Sequence, residues 1–161
     1  MAIEDISDVS KVKNTFKRYV SKQVVDELLG DEGKLNLGGE QREVTILFTD
    51  IRGFTSMSEK MEPERVVTTL NEYFSDMIDI VFKHNGTLDK IIGDELMVLY
   101  GAPIKGEKDT QRAVETAVEM QRKINELNKE RDKRNEPAIL VGAGINKGLV
   151  VSGNIGSRDL M

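Results

Sequence analysis

An α+β fold, an antiparallel sheet with its helices on one face, is predicted by three observations. Segments of strand-like and helix-like periodicity follow one another as strand, helix, strand, strand, helix, strand, strand. The second and third strands are separated only by Gly93-Asp94, a two-residue hairpin turn with glycine first. Two helical stretches carry their apolar residues on one side and their charges on the others. This order matches the ferredoxin-like arrangement. With 161 residues, 39% of them hydrophobic, the chain has the length of one domain and enough apolar surface for a core. Three tyrosines, five phenylalanines and no tryptophan leave that core mainly to aliphatic side chains.

The elements follow in order. From Val9 to Leu29, the residues Val12, Phe16, Tyr19, Val20, Val24 and Leu28 recur at steps of three and four, which predicts one helix or two short ones, the second capped by Ser21. Gly30 to Gly39 is glycine-rich and reads as a linker. Residues 1–39 are therefore an N-terminal helical arm and linker, and residues 40–161 are the domain proper. Arg42 to Asp50 contains the alternating, β-branched run Val44-Thr45-Ile46-Leu47-Phe48 and predicts a strand ending at an acid. Thr55 or Ser56 caps a short helical turn, and Pro63 opens a longer helix. Its face is Val66, Leu70, Tyr73, Phe74, Met77, Ile78, Val81 and Phe82, and Asn85-Gly86 closes it.

Strands are predicted at Thr87 to Ile92 and Leu96 to Tyr100. Asp109 to Asn135 then places Ala113, Ala117, Met120, Ile124 and Leu127 along one side of a long surface helix whose charges form a solvated face. Ile139 to Ile145 and Leu149 to Ile155 read as two strands around Asn146-Lys147-Gly148. Met57, Met61 and Met77 fill the core, and His84 complements a helix C-terminus.

Composition excludes several functions. Twenty-three basic against 28 acidic side chains give a formal charge of -5, which offers no broad positive field for a nucleic acid or an anionic membrane. Without cysteine there is no disulfide, thiolate nucleophile or zinc finger, and a single histidine, His84, argues against a histidine-based metal centre. No apolar run approaches the ~20 residues of a spanning helix, and no signal peptide pattern opens the chain, so a soluble cytoplasmic domain is expected.

Topology then brings two acids together. A right-handed crossover makes the first and second strands end at the same border, with the third threading back between them, so Asp50 and Asp94 become neighbours. Two carboxylates without histidine or cysteine make a hard, oxygen-only site for Mg2+ or Mn2+. Directly after Asp50 the chain turns at Ile51-Arg52-Gly53 into a helix start whose free amides favour an anion. Together these features suggest a nucleoside triphosphate held with two ions. Taken singly, each is ordinary: an aspartate at a strand end is often a cap, and Gly93-Asp94 is a common turn. Lys90, inside an apolar strand, must reach solvent along a border or find a polar partner.

Phe48-Thr49-Asp50-Ile51-Arg52-Gly53-Phe54-Thr55, Leu88-Asp89-Lys90-Ile91-Ile92-Gly93-Asp94-Glu95-Leu96-Met97, and Gly144-Ile145-Asn146-Lys147-Gly148 with Gly153-Asn154-Ile155-Gly156-Ser157 fall in one order and spacing. In this they resemble the catalytic domain of class III nucleotide cyclases, most closely bacterial adenylate cyclases. The resemblance spans roughly Glu40 to Met161, and the arm, Phe16-Lys17-Arg18-Tyr19-Val20-Ser21 and onward to Leu29, is similar to the helical transducing segment that often precedes such domains in multidomain receptors, which implies an upstream sensory domain in the parent protein. It implies that Asp50 and Asp94 bind two Mg2+ or Mn2+ ions with the Ile51 carbonyl, and that the backbone of Arg52, Gly53, Phe54 and Thr55 holds the triphosphate. Lys90 falls where adenylate cyclases place a lysine that reads adenine and guanylate cyclases usually place a glutamate. An ammonium donor suits a ring-nitrogen acceptor of adenine, so ATP is the expected substrate and 3',5'-cyclic AMP with pyrophosphate the expected products. Two protomers packed head to tail would form a homodimer.

Members of the family continue beyond the position of Met161 with a second base-reading residue and with an asparagine and arginine that serve the ribose and transition state. The expectation is therefore a fold incomplete at its C-terminus, inactive alone, whose full-length parent is an adenylate cyclase. The alternatives are a guanylate cyclase, or a regulatory dimerisation module of the same fold. A diguanylate cyclase is a further alternative, because Ile92-Gly93-Asp94-Glu95-Leu96 resembles that family's hairpin without its first glycine and its phenylalanine. Lys147 stands where small hydroxyl residues are frequent in relatives.

Overall fold

The computed structural model describes residues 38–154. The N-terminal arm from Val9 to Leu29, most of the expected linker and Ile155 to Met161 lie outside them. Seven elements follow one another: β1 (Gly38–Ile51), α1 (Phe54–Ser58), α2 (Pro63–Lys83), β2 (Thr87–Ile92), β3 (Glu95–Tyr100), α3 (Asp109–Lys133) and β4 (Val141–Asn154). The strands form one sheet in the order β2-β3-β1-β4, with each neighbouring pair antiparallel. β1 and β2 are therefore parallel, with β3 between them, as the crossover argument requires.

β1 shows why one face carries the core. Thr45, Leu47, Thr49 and Ile51 are buried and alternate with half-buried Ile46 and exposed Phe48 and Asp50. Because side chains alternate between faces, the first set looks toward the helices and the second toward the open side. Leu47, Val98, Leu96 and Ile51 meet Tyr73, Met77 and Val81 of α2 and Ala113, Met120 and Ile124 of α3 in one cluster. Met57 packs against this cluster and Met77 lies within it. Of the stripe expected on α2, Tyr73, Met77 and Val81 are buried, and Leu70, Phe74, Ile78 and Phe82 are half-buried against the core.

Local chemistry sets the helix limits. Pro63 occupies the first turn of α2, where its missing N–H costs nothing. At the other end Asn85 has φ 56°, Gly86 N–H bonds the Val81 carbonyl at 2.9 Å, and Asn85 N–H bonds that of Phe82 at 3.1 Å. These are the two bonds of a Schellman closure. α3 ends in the same way at Asn135, with φ 54° and Glu136 N–H on the Arg131 carbonyl at 2.9 Å. No described helix is long and apolar enough to cross a membrane.

The structure corrects the sequence reading at four places. The two strands expected at 139–145 and 149–155 are one strand, β4. Asn146, Lys147 and Gly148 pair in unbroken register with Ile46, Thr45 and Val44, and the 14-residue run of β1 supplies a ladder partner at every position. Gly38 and Gly39, expected in the linker, belong to β1 and pair with Asn154 and Gly153. The short helix is capped not by Thr55 or Ser56 but by Gly53, at φ 68° and without a side-chain cap bond. Finally, the charges of α3 are not all solvated: Arg131 is buried, its Nε donates to the Pro137 carbonyl at 2.9 Å, and Nη1 lies 3.1 Å from Glu136.

Candidate active site

The hairpin between β2 and β3 swings back beside the end of β1. Ile92 pairs with Glu95 across a turn made only of Gly93 and Asp94, and Gly93 has φ 64°, which glycine adopts without strain. The turn aims Asp94 at β1: its Oδ2 accepts a hydrogen bond from the Ile51 N–H at 3.1 Å. Asp50 is the residue before Ile51, exposed on the open face. The structure thus brings Asp94 to the end of β1 at the peptide that follows Asp50. Among the described residues neither carboxylate is engaged by a lysine or arginine.

Beneath the pair lies a group that sequence reading missed. Tyr73 of α2 is fully buried, and its hydroxyl meets Thr49 Oγ1 at 3.2 Å, one residue before Asp50. Burial pushes the phenol up to about 12, and the negative charges of Asp94 and Asp50 act in the same direction. Tyr73 is therefore a neutral hydroxyl under the rim, close enough to sense both acids. In the sequence it was one more apolar position of the α2 stripe, and nothing local marked its hydroxyl as paired.

After Asp50 the backbone turns sharply. Arg52 N–H bonds the Leu140 carbonyl at 2.7 Å, and Gly53 adopts a left-handed conformation. α1 then begins at Phe54, and its first internal bond runs from Met57 N–H to the Gly53 carbonyl at 3.0 Å. Among the described residues the N–H groups of Gly53, Phe54, Thr55 and Ser56 have no acceptor, as the opening of a helix dictates. Arg52, Gly53 and Thr55 are exposed and Phe54 packs against the core.

Beside this turn runs a groove of about 360 Å³ lined by Phe48, Thr49, Asp50, Arg52, Gly142, Ala143 and Gly144. Pairing across the sheet sets Gly142 opposite Asp50, Gly144 opposite Phe48 and Gly148 opposite Val44. This side of β4 is a lane with few side chains. The Arg52 guanidinium lies over Gly142, where an added Cβ would come 3.0 Å from Nε.

Lys90 is elsewhere. It sits on border strand β2, exposed, with Nζ 3.1 Å from Asp89. It pairs with Met97, which pairs with Phe48, so it shares the open face with Asp50 but lies two strands away, about 10 Å across the sheet. The structure does not bring Lys90 to the two acids of the same chain.

Donor chemistry fits a hard divalent ion. Asp50 and Asp94 offer carboxylate oxygens and Ile51 a carbonyl, with neither sulfur nor imidazole nearby. Among the described residues no group of three acidic or histidine side chains surrounds a common point, so two carboxylates are what the described side chains supply.

Comparison with known proteins decides the family. The model for the adenylate and guanylate cyclase catalytic domain matches residues 39–160. This chain belongs to that family. An adenylate cyclase of Anabaena cylindrica is 36% identical over 155 residues, covering 92% of this chain and 30% of the relative. Among solved structures, the guanylyl cyclase Cya2 is 47% identical with a TM-score of 0.72, covering 76% of this chain and 62% of that one. The adenylyl cyclase CyaB from P. aeruginosa is 33% identical with a TM-score of 0.73, covering 76% and 64%. The chain thus spans less than a third of its Anabaena relative and under two thirds of these two solved domains.

Proposed function

We propose that this cyclase domain contributes the metal- and phosphate-binding part of an adenylate cyclase that acts in the cytoplasm. The observation that carries the reading is the placement of Asp94 on the Ile51 N–H, which sets two acids beside a turn with four free amides. Asp50, Asp94 and the Ile51 carbonyl would hold two Mg2+ or Mn2+ ions, which when bound favour ionisation of the ribose 3'-hydroxyl and offset charge on the phosphates. The amides of Gly53, Phe54, Thr55 and Ser56 would receive phosphate oxygens, and the Arg52 guanidinium adds positive charge beside them. In the reaction the 3'-oxygen forms a bond to the α-phosphorus, the bond to pyrophosphate breaks, and the hydroxyl proton passes to solvent. No side chain of the described site serves as its base.

Lys90 favours ATP, because its ammonium donates to a ring nitrogen of adenine. At about 10 Å from its own Asp50 across the sheet, it would read the base bound by a second copy packed head to tail over the open face. Upstream, the arm ahead of β1 would connect a sensory domain. The second reading, GTP, is favoured by the 47% identity to a domain titled a guanylyl cyclase.

Two measurements test the proposal. Calorimetry of this chain with Mn2+ and ATP should show binding that Asp50→Asn abolishes, with GTP binding more weakly. A longer protein carrying this domain should convert ATP to cyclic AMP, identified by chromatography. Conversion of GTP alone would overturn the base assignment, and binding unaffected by Asp50→Asn would overturn the metal site.

A further inference from the structure

Between α3 and β4 the chain passes through residues 136–140 without joining a helix or strand, so its backbone groups need partners from elsewhere. Three side chains of α3 supply them. Arg131 Nε donates to the Pro137 carbonyl at 2.9 Å, Asn128 Nδ2 to the Ile139 carbonyl at 2.7 Å, and Gln121 Nε2 to the Val141 carbonyl at 2.9 Å. The spacing explains the match. Residues 121, 128 and 131 lie along one stripe of a helix, and carbonyls two residues apart in an extended chain point the same way. Asn128 has the fullest grip: its Oδ1 also accepts the Ile139 N–H at 2.7 Å, so one amide side chain holds both backbone groups of a buried residue. Among the described residues these two groups of Ile139 have no other partner.

The next carbonyl serves the other side. Leu140 C=O accepts the Arg52 N–H at 2.7 Å, just beyond the last pair of the β1–β4 ladder, Ile51 with Val141. Arg52 leads directly into Gly53, whose φ of 68° opens α1 and presents the free amides of Gly53, Phe54, Thr55 and Ser56. Leu140 cannot hold its own place, because its side chain is 64% exposed and the end of a ladder frays readily. What fixes it is Ile139, gripped by Asn128. Two bonds from α3 to residue 139 therefore set the bond that decides where the turn after Asp50 begins.

We propose that Asn128 is a positioning residue for triphosphate binding, acting through Ile139 and the Leu140 carbonyl on Arg52 at the head of the turn. The proposal rests on the reading of that turn as the phosphate site. Nuclear magnetic resonance of the chain reads the link without nucleotide: in Asn128→Ala the Arg52 amide should exchange with solvent about tenfold faster, as expected for one anchoring bond, relative to Ile46 to Phe48 in the middle of β1. Calorimetry with Mn2+ and ATP reads the consequence, an affinity lower by about tenfold, as loss of an outer contact costs. Asn128→Asp keeps the size of the side chain and an acceptor for the Ile139 N–H but offers its carbonyl no donor, so it should show both changes even if the alanine variant does not fold. Thr116→Val removes a different bond of α3, to Tyr100 at 2.6 Å, about 18 Å along the helix from Asn128. It should lower the melting temperature and show neither change. Unaltered ATP affinity in the Asn128 variants, an unmoved Arg52 amide, or equal effects from Thr116→Val would overturn the proposal. An unsubstituted chain that binds no Mn2+–ATP would defeat the phosphate reading itself, and the proposal with it.

Discussion

The two faces of β1 obey opposite rules although they alternate residue by residue. Toward the helices, Thr45, Leu47, Thr49 and Ile51 are buried. Toward the open side, Phe48 is 37% exposed and Asp50 is free of any cation among the described residues. One strand thus holds the core with one set of side chains and offers chemistry with the other. A slip of a single residue would exchange the sets. Stability and activity should therefore separate by parity toward the end of this strand, from Leu47 to Ile51, whereas Val44, on the open-side parity, is itself buried.

The most damaging way to test that separation is inside it. Leu47→Ala should lower unfolding free energy by about 3 kcal/mol in chemical denaturation, whereas Phe48→Ala, its neighbour, should cost under about 1 kcal/mol. Equal losses would mean that the open face is packed too. Next come the acids. Asp50→Asn or Asp94→Asn should weaken Mn2+–ATP binding at least ~100-fold by calorimetry, beyond what loss of an outer contact costs. Thermal unfolding without metal should barely move, because asparagine at 94 still accepts the Ile51 N–H. A smaller effect joins the two faces: Tyr73→Phe removes one buried hydrogen bond and should cost about 1 kcal/mol.

Tyr73 and Tyr100 also set an alkaline limit. Both phenols are pushed up to about 12 by burial, Tyr100 despite its bond to Thr116. A group with a raised folded value stabilises fully below its unfolded value near 10 and loses that contribution as pH rises through 12. Stability should therefore fall between pH 10 and 12, less steeply in Tyr73→Phe. The smallest expected change is that Asp94→Asn lowers the Tyr73 ionisation seen by ultraviolet titration, because one of the charges opposing phenolate is gone.

What the sequence made legible was local. Pro63 and Asn85-Gly86 bracketed α2, Gly93-Asp94 announced its turn, and the crossover rule brought Asp94 to the end of β1. What it concealed depended on distant partners. Asn146-Lys147-Gly148 has the composition of a turn and became mid-strand because β1 continues opposite it. Arg131 looked like one charge among many on α3 until the chain after Asn135 folded Glu136 and the Pro137 carbonyl over it. The Tyr73 hydroxyl found its role only when α2 packed beneath Thr49. Periodicity reports which way a side chain points, not what waits there.

The glycines of β4 carry a further meaning. A Cβ added at Gly144 or Gly148 would meet nothing within 4 Å, and at Gly142 it would meet chiefly the Arg52 guanidinium. Anything resting along that lane therefore touches bare peptide planes, whose outline evolution cannot retouch except by adding bulk. Every substitution there takes away headroom, and none can create it.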